Sequence, residues 1–172
     1  MRRRALVIGG IAVLGLVAMA LVLGLHDMAS FGDGSPSGRN ESVGERLARV
    51  AARPTLRLTH RGRKTGRMYE VTIWFVADGD TVYLTTMDRR RHWVRNALHT
   101  PRVALQIGPE RFEGTLAPVT DDADKRREYA LLIGKYWIMR VVDTVMRLAG
   151  RDPEASIGVG RGGFFRVALD HP

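Results

Sequence analysis

The chain has 172 residues, with 27 Lys and Arg against 18 Asp and Glu, a formal net charge of +9, and no cysteine. The length suits one domain plus an appendage, and an apolar share of 45% excludes a chain too polar to bury a core. The missing cysteine excludes disulfides, thiolate nucleophiles and cysteine-based zinc or iron–sulfur centres, and leaves the redox compartment open. The positive balance favours anionic partners: nucleic acid, acidic lipid or a phosphorylated cofactor. An arginine-rich composition with no functional meaning is the plain alternative.

Met1-Arg2-Arg3-Arg4 precedes a run of 21 uncharged, mostly apolar residues, Ala5 to Leu25. As a helix at about 1.5 Å per residue, that run matches the roughly 30 Å hydrocarbon core of a bilayer. The expectation is a single-pass N-terminal membrane anchor over residues 1–25. A cleaved signal peptide is the rival reading, but the apolar run is longer than usual and no clean cleavage site follows it. The arginines ahead of the span put the N-terminus in the cytoplasm and the domain outside. The cofactor discussed below points the other way, so the side stays open. Residues 26–40, rich in Gly, Ser, Asp and Pro, read as a flexible linker, and residues 41–172 as the folded domain.

Within that domain, Glu41 to Ala52 reads as a short helix capped by Asn40 and ended at Arg53-Pro54. Leu56 and Leu58 alternate with Arg57 and Thr59 in a first strand. The loop Gly62-Arg63-Lys64-Thr65-Gly66 follows, then a β-branched and aromatic strand from Tyr69 to Val76. Asp78-Gly79-Asp80 turns the chain into a strand from Thr81 to Met87. Asp88 to His92 is a basic loop, and Trp93 to Leu98 a short helix stopped before Pro101. Arg102–Ile107 and Phe112–Val119 make a second hairpin around Gly108-Pro109. Thr120 caps a long helix ending at Gly150, with Gly134 as a point of division. Gly163 to Leu169 is a final strand. About six mostly antiparallel strands with flanking helices define an α+β fold, a small barrel with helices outside.

Several chemical motifs fail on context. Gly158 to Gly163 spells G-x-G-x-x-G but precedes a strand, where a dinucleotide site needs a strand before it and a helix after it. The Gly62 loop is not a Walker A motif, because only three residues separate its glycines. The five histidines show no metal spacing, so no metal is expected. No nucleic-acid motif is present, and no nucleic-acid partner is expected. The Gly62–Gly66 loop carries two fixed cations and a hydroxyl on a tight turn, suited to a phosphate or carboxylate; a solvated hairpin tip is the plain alternative. If the chain meanders, the loop after the third strand returns beside it. Arg89 to Trp93, Asn96 and Thr85-Thr86 then join the basic loop in a pocket for a flat ring with an acidic tail.

The order L-T-x-x-G-R-K-T-G, apolar strand, D-G-D, strand, W-x-x-N-x-x-x-x-P-x-V resembles the deazaflavin-dependent nitroreductase family, carried here by Leu58-Thr59, Gly62 to Gly66, Asp78 to Asp80, Trp93, Asn96, Pro101 and Val103. Members are split β-barrel flavin or deazaflavin oxidoreductases related to pyridoxamine-phosphate oxidase. The resemblance covers roughly residues 53–169 and implies a split β-barrel that binds coenzyme F-420, with FMN as second choice. It implies that Arg63, Lys64, Thr65 and Gly66 hold the acidic tail. Tyr69, Thr72, Trp74, Thr85, Thr86, Met87, His92, Trp93 and Asn96 would line the rest of the pocket. The implied reaction is hydride transfer from the reduced deazaflavin to a quinone, a nitroaromatic or a similar conjugated acceptor, with Trp74 and Tyr136 on the substrate side and no assignable catalytic acid. The chain departs from the family at Thr72, where a proline is usual, at Tyr69, near which a basic residue is usual, and in the short loop before Trp93. A homodimer and contact with membrane lipid complete the expectation. A flavin-like or anionic-ligand binding module without turnover is the alternative.

Overall fold

The computed structural model describes residues 41–153 and 163–171. The expected anchor and linker, and the G-x-G-x-x-G run up to Gly162, lie outside the described residues. Among the described residues, no helix is long and apolar enough to cross a membrane.

The first helix, α1 (Val43–Val50), starts at Ser42 rather than Asn40. Ser42 lies three residues before Glu45, so their side chains and backbone N–H groups bond reciprocally: Ser42 N donates to Glu45 Oε2 (2.8 Å), and Glu45 N donates to Ser42 Oγ (3.2 Å). This capping box satisfies two otherwise free donors, and α1 then buries Val43, Leu47 and Val50.

Seven strands follow: β1 (Leu56–Arg61), β2 (Met68–Ile73), β3 (Phe75–Asp78), β4 (Thr81–Thr86), β5 (Arg102–Ile107), β6 (Glu110–Pro118) and β7 (Gly163–Leu169). They form one sheet in the order β2-β1-β5-β6-β7-β4-β3, every pair antiparallel. The two outermost strands are consecutive in the chain, with only Trp74 between them. The sheet therefore curls until its two edges meet as the halves of one bent strand, a split β-barrel that leaves little open edge. The single strand expected from Tyr69 to Val76 is broken at this bend, which raises the count from about six to seven. The break has a physical cause. Ile73 pairs with Leu56 of β1, while Phe75 pairs with Leu84 of β4, so the chain must leave one partner and take up the other within two residues.

Apolar side chains on the concave face, among them Leu58, Leu105, Ile107, Val82, Leu84 and Val167, fill the interior. The helix α2 (His92–His99) adds Trp93, Val94 and Ala97 to the same core. Outside the barrel, α3 (Asp122–Lys135) and α4 (Trp137–Leu148) form a second layer, in which Tyr129, Leu132 and Tyr136 pack on Val76, Val119 and Phe164. Asp121, not Thr120, caps α3, its carboxylate accepting from Ala123 N (2.8 Å) and Asp124 N (3.0 Å). The long helix divides at Tyr136 rather than Gly134, because Tyr136 is extended (φ −106°, ψ 109°). That backbone turn sends its ring toward the Trp74 bend.

Candidate cofactor site

The β1–β2 pairing ends at Arg61 opposite Met68, leaving Gly62 to Arg67 as the connecting loop. The loop is tightly closed: Gly62 N donates to Arg67 O (2.7 Å) and Gly66 N to Gly62 O (2.8 Å). Gly66 sits at φ +68°, where a side chain is strained. A Cβ on Gly62 would lie 2.6 Å from the Tyr69 ring and 2.8 Å from Thr65 Oγ1. Backbone conformation thus favours glycine at 66, and the packed Tyr69 and Thr65 side chains leave no room for a Cβ at 62. The Thr65 and Tyr69 hydroxyls are hydrogen-bonded to each other (3.1 Å), and Thr65 Oγ1 also accepts from Arg67 N (3.3 Å). The Tyr69 ring stacks on His60, centroids 6.0 Å apart.

One amide ties this loop to α2. Asn96 Oδ1 accepts from Arg63 N (3.3 Å) and Arg63 Nη1 (3.1 Å), while Asn96 Nδ2 lies 3.4 Å from His60 Nδ1. With the amide oxygen taken by two donors, the amide nitrogen must donate, so His60 Nδ1 is an acceptor and the ring is neutral. Burial pushes the His60 pKa down, in the same sense. His60 and Asn96 are both buried. The loop and α2 are therefore joined by α2 crossing to the end of β1, not by a meander: β4 neighbours β3 and β7, never β1.

Arg63 is half-buried and held, which leaves other cations at the rim. Lys64 and Arg67 on the loop, and Arg91, His92 and Arg95 at the start of α2, are exposed. The acidic residue of this region, Asp88, accepts from Arg90 N (2.8 Å) and from the Arg90 guanidinium (3.0 Å). Helix α2 begins with no side-chain cap, and its N-terminal dipole adds to the positive field. Such a donor set, exposed cations with the acid already paired, fits phosphate and carboxylate groups.

Tyr69, His92 and Asn96 belong to this clasp or its rim; the other residues expected around a ring are distributed as follows. The Thr85 hydroxyl donates to Gly163 O (3.3 Å). Buried Thr86 uses its hydroxyl on Asp88, donating to its carbonyl and accepting from its N–H, both at 3.2 Å. Met87 is 76% exposed. Trp93 is buried in the interior, edge-on to Phe165 with ring centroids 5.6 Å apart. Thr72 is exposed on β2, opposite Arg57. Trp74 stacks face to face on Tyr136, centroids 4.7 Å apart and planes 11° from parallel. The Tyr136 hydroxyl accepts from Phe75 N (3.0 Å) and lies 2.7 Å from Phe75 O and 2.8 Å from Pro54 O. Burial pushes its pKa up to about 12. Beside it, Lys135 Nζ donates to Phe75 O (2.8 Å) and sits 3.5 Å above the Phe75 ring. Burial pushes the Lys135 pKa down to about 8.

The structure thus brings Arg63, Thr65, Tyr69 and Asn96 together, with Lys64, Gly66 and His92 at their rim. It places Thr85, Thr86 and Met87 at the end of β4, Trp93 in the core, and Trp74 with Tyr136 at the bend. Sequence reasoning missed His60 and Lys135. The signal for His60 was available: it continues the inward alternation of Leu56 and Leu58. Lys135 had none, because its position depends on the break at Tyr136.

The curled antiparallel sheet with a basic hairpin loop bound to a short helix defines a split-barrel domain of cofactor-binding type. The model of the F420H(2)-dependent quinone reductase family matches residues 37–139, and the chain belongs to that family of oxidoreductases, whose cofactor is F-420. Solved structures show the same fold at low identity. One is a putative 5-nitroimidazole antibiotic resistance protein from Bacteroides thetaiotaomicron (TM-score 0.57, 11% identity, 83% of this chain and 92% of that one). Another is the HutZ heme storage protein of Vibrio cholerae (0.54, 14%, 77% and 93%). A putative pyridoxamine 5'-phosphate oxidase from Listeria innocua is also similar (0.51, 14%, 74% and 93%). No curated protein matches the chain.

Proposed function

We propose that the chain is a membrane-anchored reductase that passes a hydride from reduced F-420 to a quinone or similar conjugated acceptor, with nitroaromatics as incidental substrates. The observation that carries this reading is the clasp of the Gly62–Gly66 loop and α2, an anion-binding rim with its acid already paired. Lys64, Arg67 and Arg95 would take the phosphate and carboxylates of the cofactor tail. Arg63 acts from beneath, bonded to Asn96 so that the loop keeps its shape. When bound, F-420 supplies a two-electron hydride donor; the protein's part is to hold and orient the reacting partners. Hydride transfer leaves a hydroquinone anion, and the one proton that completes the hydroquinone is assigned to water, because the Tyr136 hydroxyl is bonded to backbone and the Thr86 hydroxyl is committed to Asp88.

An anchor formed by residues 5–25 would suit a lipid-soluble quinone, and a homodimer belongs to the same proposal. Labelling a single cysteine introduced at Ser37 with a membrane-impermeant reagent, in intact and in opened cells, fixes the side of the domain. The main test is a titration of the full chain with F-420 and with FMN, followed by steady-state oxidation of reduced F-420 by menadione. Binding of F-420 with turnover is the expected result. Failure of both cofactors to bind below about millimolar concentration, near −4 kcal/mol, removes the reading. The committed hydroxyls favour one second reading, a binding module without turnover; tight F-420 binding with no oxidation across a quinone panel selects it.

A further inference from the structure

Helix α4 has more apolar surface than the domain covers. Ile138 and Met139 pack against the cluster outside the barrel, and Val142 and Met146 are half-buried, but no residue of α4 is fully buried. On the other side, Trp137 (57% exposed), Val141, Val145 and Leu148 (84% exposed) face outward. Their spacing, i, i+4, i+8 and i+11, places them in one stripe along the helix. One edge of the stripe is lined by Arg140 and by Arg147, which bonds Asp143 (2.8 Å), and exposed Arg151 lies just beyond the helix end. Scattered exposed apolar residues are ordinary, but a stripe of four ending in a tryptophan and bordered by arginines is a docking surface.

From this we infer that α4 lies on an acidic lipid surface, with Trp137, Val141, Val145 and Leu148 dipped into the boundary between headgroups and acyl chains. Three observations choose lipid over another occupant. The apolar stripe with a basic edge is the pattern of an interfacial helix, and tryptophan prefers that depth. The net charge of +9 complements anionic headgroups. The sequence ahead of the domain carries its own 21-residue, mostly apolar run, separated from Glu41 by the 15 residues 26–40. A linker of that length spans on average about 20 Å, so even weak contacts by α4 would operate at a high effective concentration of membrane. The inference rests on the surface of α4 and does not depend on which cofactor the barrel holds.

The test uses the full chain in vesicles of phosphatidylglycerol and phosphatidylcholine, with either ordinary or brominated acyl chains. Tryptophan emission should be quenched by the brominated lipid. That quenching should be largely lost in Trp137→Phe, since Trp93 is buried and Trp74 is stacked on Tyr136. Val145→Glu should also lose it, while keeping the wild-type far-UV spectrum and melting temperature, because Val145 is exposed. Equal quenching in the wild type and Trp137→Phe overturns the proposal, as does undiminished quenching in pure phosphatidylcholine, which denies the role of acidic headgroups. If Trp137 is not quenched and sedimentation in detergent shows a dimer that Val145→Glu splits, the stripe belongs to a second copy and the lipid assignment is wrong.

Discussion

Two places in this domain bend the chain sharply and hold the bend with a helix, and they do so with different chemistry. At the Gly62–Gly66 loop the clasp is polar and sits at a surface: Asn96 of α2 holds Arg63 and reaches His60, and exposed cations surround it. At the Trp74 bend the clasp is aromatic and buried: Tyr136 and Lys135, where α3 gives way to α4, hold the N–H and C=O of Phe75 while Trp74 stacks on the Tyr136 ring. The first clasp ends in groups still free to meet a ligand. The second ends in groups whose bonds are already used. Similar devices thus leave two different surfaces, an exposed cationic rim in one case and a closed barrel in the other.

The largest effect is expected at the buried clasp. Tyr136→Phe keeps the ring stacked on Trp74 but removes the hydroxyl that accepts from Phe75 N, leaving that buried N–H without a partner, while Phe75 O keeps its bond from Lys135. The cost should be up to about 3 kcal/mol of stability, read by chemical denaturation, with the F-420 dissociation constant unchanged below the melting temperature. A variant of wild-type stability with an altered quinone KM would place Tyr136 on the substrate side instead, and the contrast between the clasps would fail.

The layer outside the barrel carries a second, opposite effect. Glu128 of α3 is 1% exposed, and neither of its carboxyl oxygens has a hydrogen-bond partner. Burial pushes its pKa up to about 9. Its folded pKa lies above the unfolded one, so its contribution to stability is full below about 4.5 and is lost as pH rises toward 9. At pH 7 the loss is about 3 kcal/mol by linkage. Glu128→Met should therefore raise stability by about 2–3 kcal/mol at pH 7 and by much less at pH 4.5. Lys135, with its pKa lowered by burial, works in the other direction, its penalty relieved only as pH rises from about 8, so urea titrations at pH 5 and pH 7.5 isolate Glu128. Equal gains at both pH values would show that burial does not raise the carboxyl's pKa.

The contrast between the two clasps also explains what could be read before the structure was known. The parts of the polar clasp were legible because each is local: the glycines dictate a tight turn within five residues, and Asn96 stands three residues after Trp93 on a short helix; the contact between them, 33 residues apart in sequence, was expected from a meander that the sheet does not form. Strand alternation at Leu56 and Leu58 was equally local. The bend at Trp74 was not legible, since the chain there is uniformly β-branched and aromatic and the reason to break lies in two strands and a helix remote in sequence. The helix break at Tyr136 escaped notice for the same reason, with Gly134 offering a more obvious but unused breaking point. Trp93 shows the limit of reading a residue type: an indole beside a basic loop can line a pocket or fill a core, and here its neighbours on α2, Val94 and Ala97, share the core with it.

At the polar clasp, Asn96→Ala should weaken F-420 binding about tenfold, or roughly 1.4 kcal/mol, by freeing Arg63 and loosening the loop. The wild type should show a further weakening at low pH. His60 has its folded pKa below the unfolded one, so its contribution is present above about 6.5 and is lost as pH falls. Once protonated, its Nδ1–H would face the Asn96 amide nitrogen, and the amide would have to turn and release Arg63. Isothermal titration at pH 7.5 and pH 5 should show that acid-induced loss in the wild type and not in Asn96→Ala; the same loss in both would uncouple His60 from the loop.

The smallest effect belongs to the rim. Lys64 is exposed and bears on nothing in the fold, so Lys64→Ala should leave the melting temperature unchanged and weaken F-420 binding only severalfold, as befits a solvated ion pair worth at most about 1 kcal/mol. Its signature is salt: the difference between wild type and variant should shrink as ionic strength rises past the point where the screening length falls below about 10 Å. A loss that persists in high salt would mean that Lys64 is enclosed when the tail binds. The rim would then close over the ligand, and the polar clasp would share with the aromatic one the property of using up its bonds.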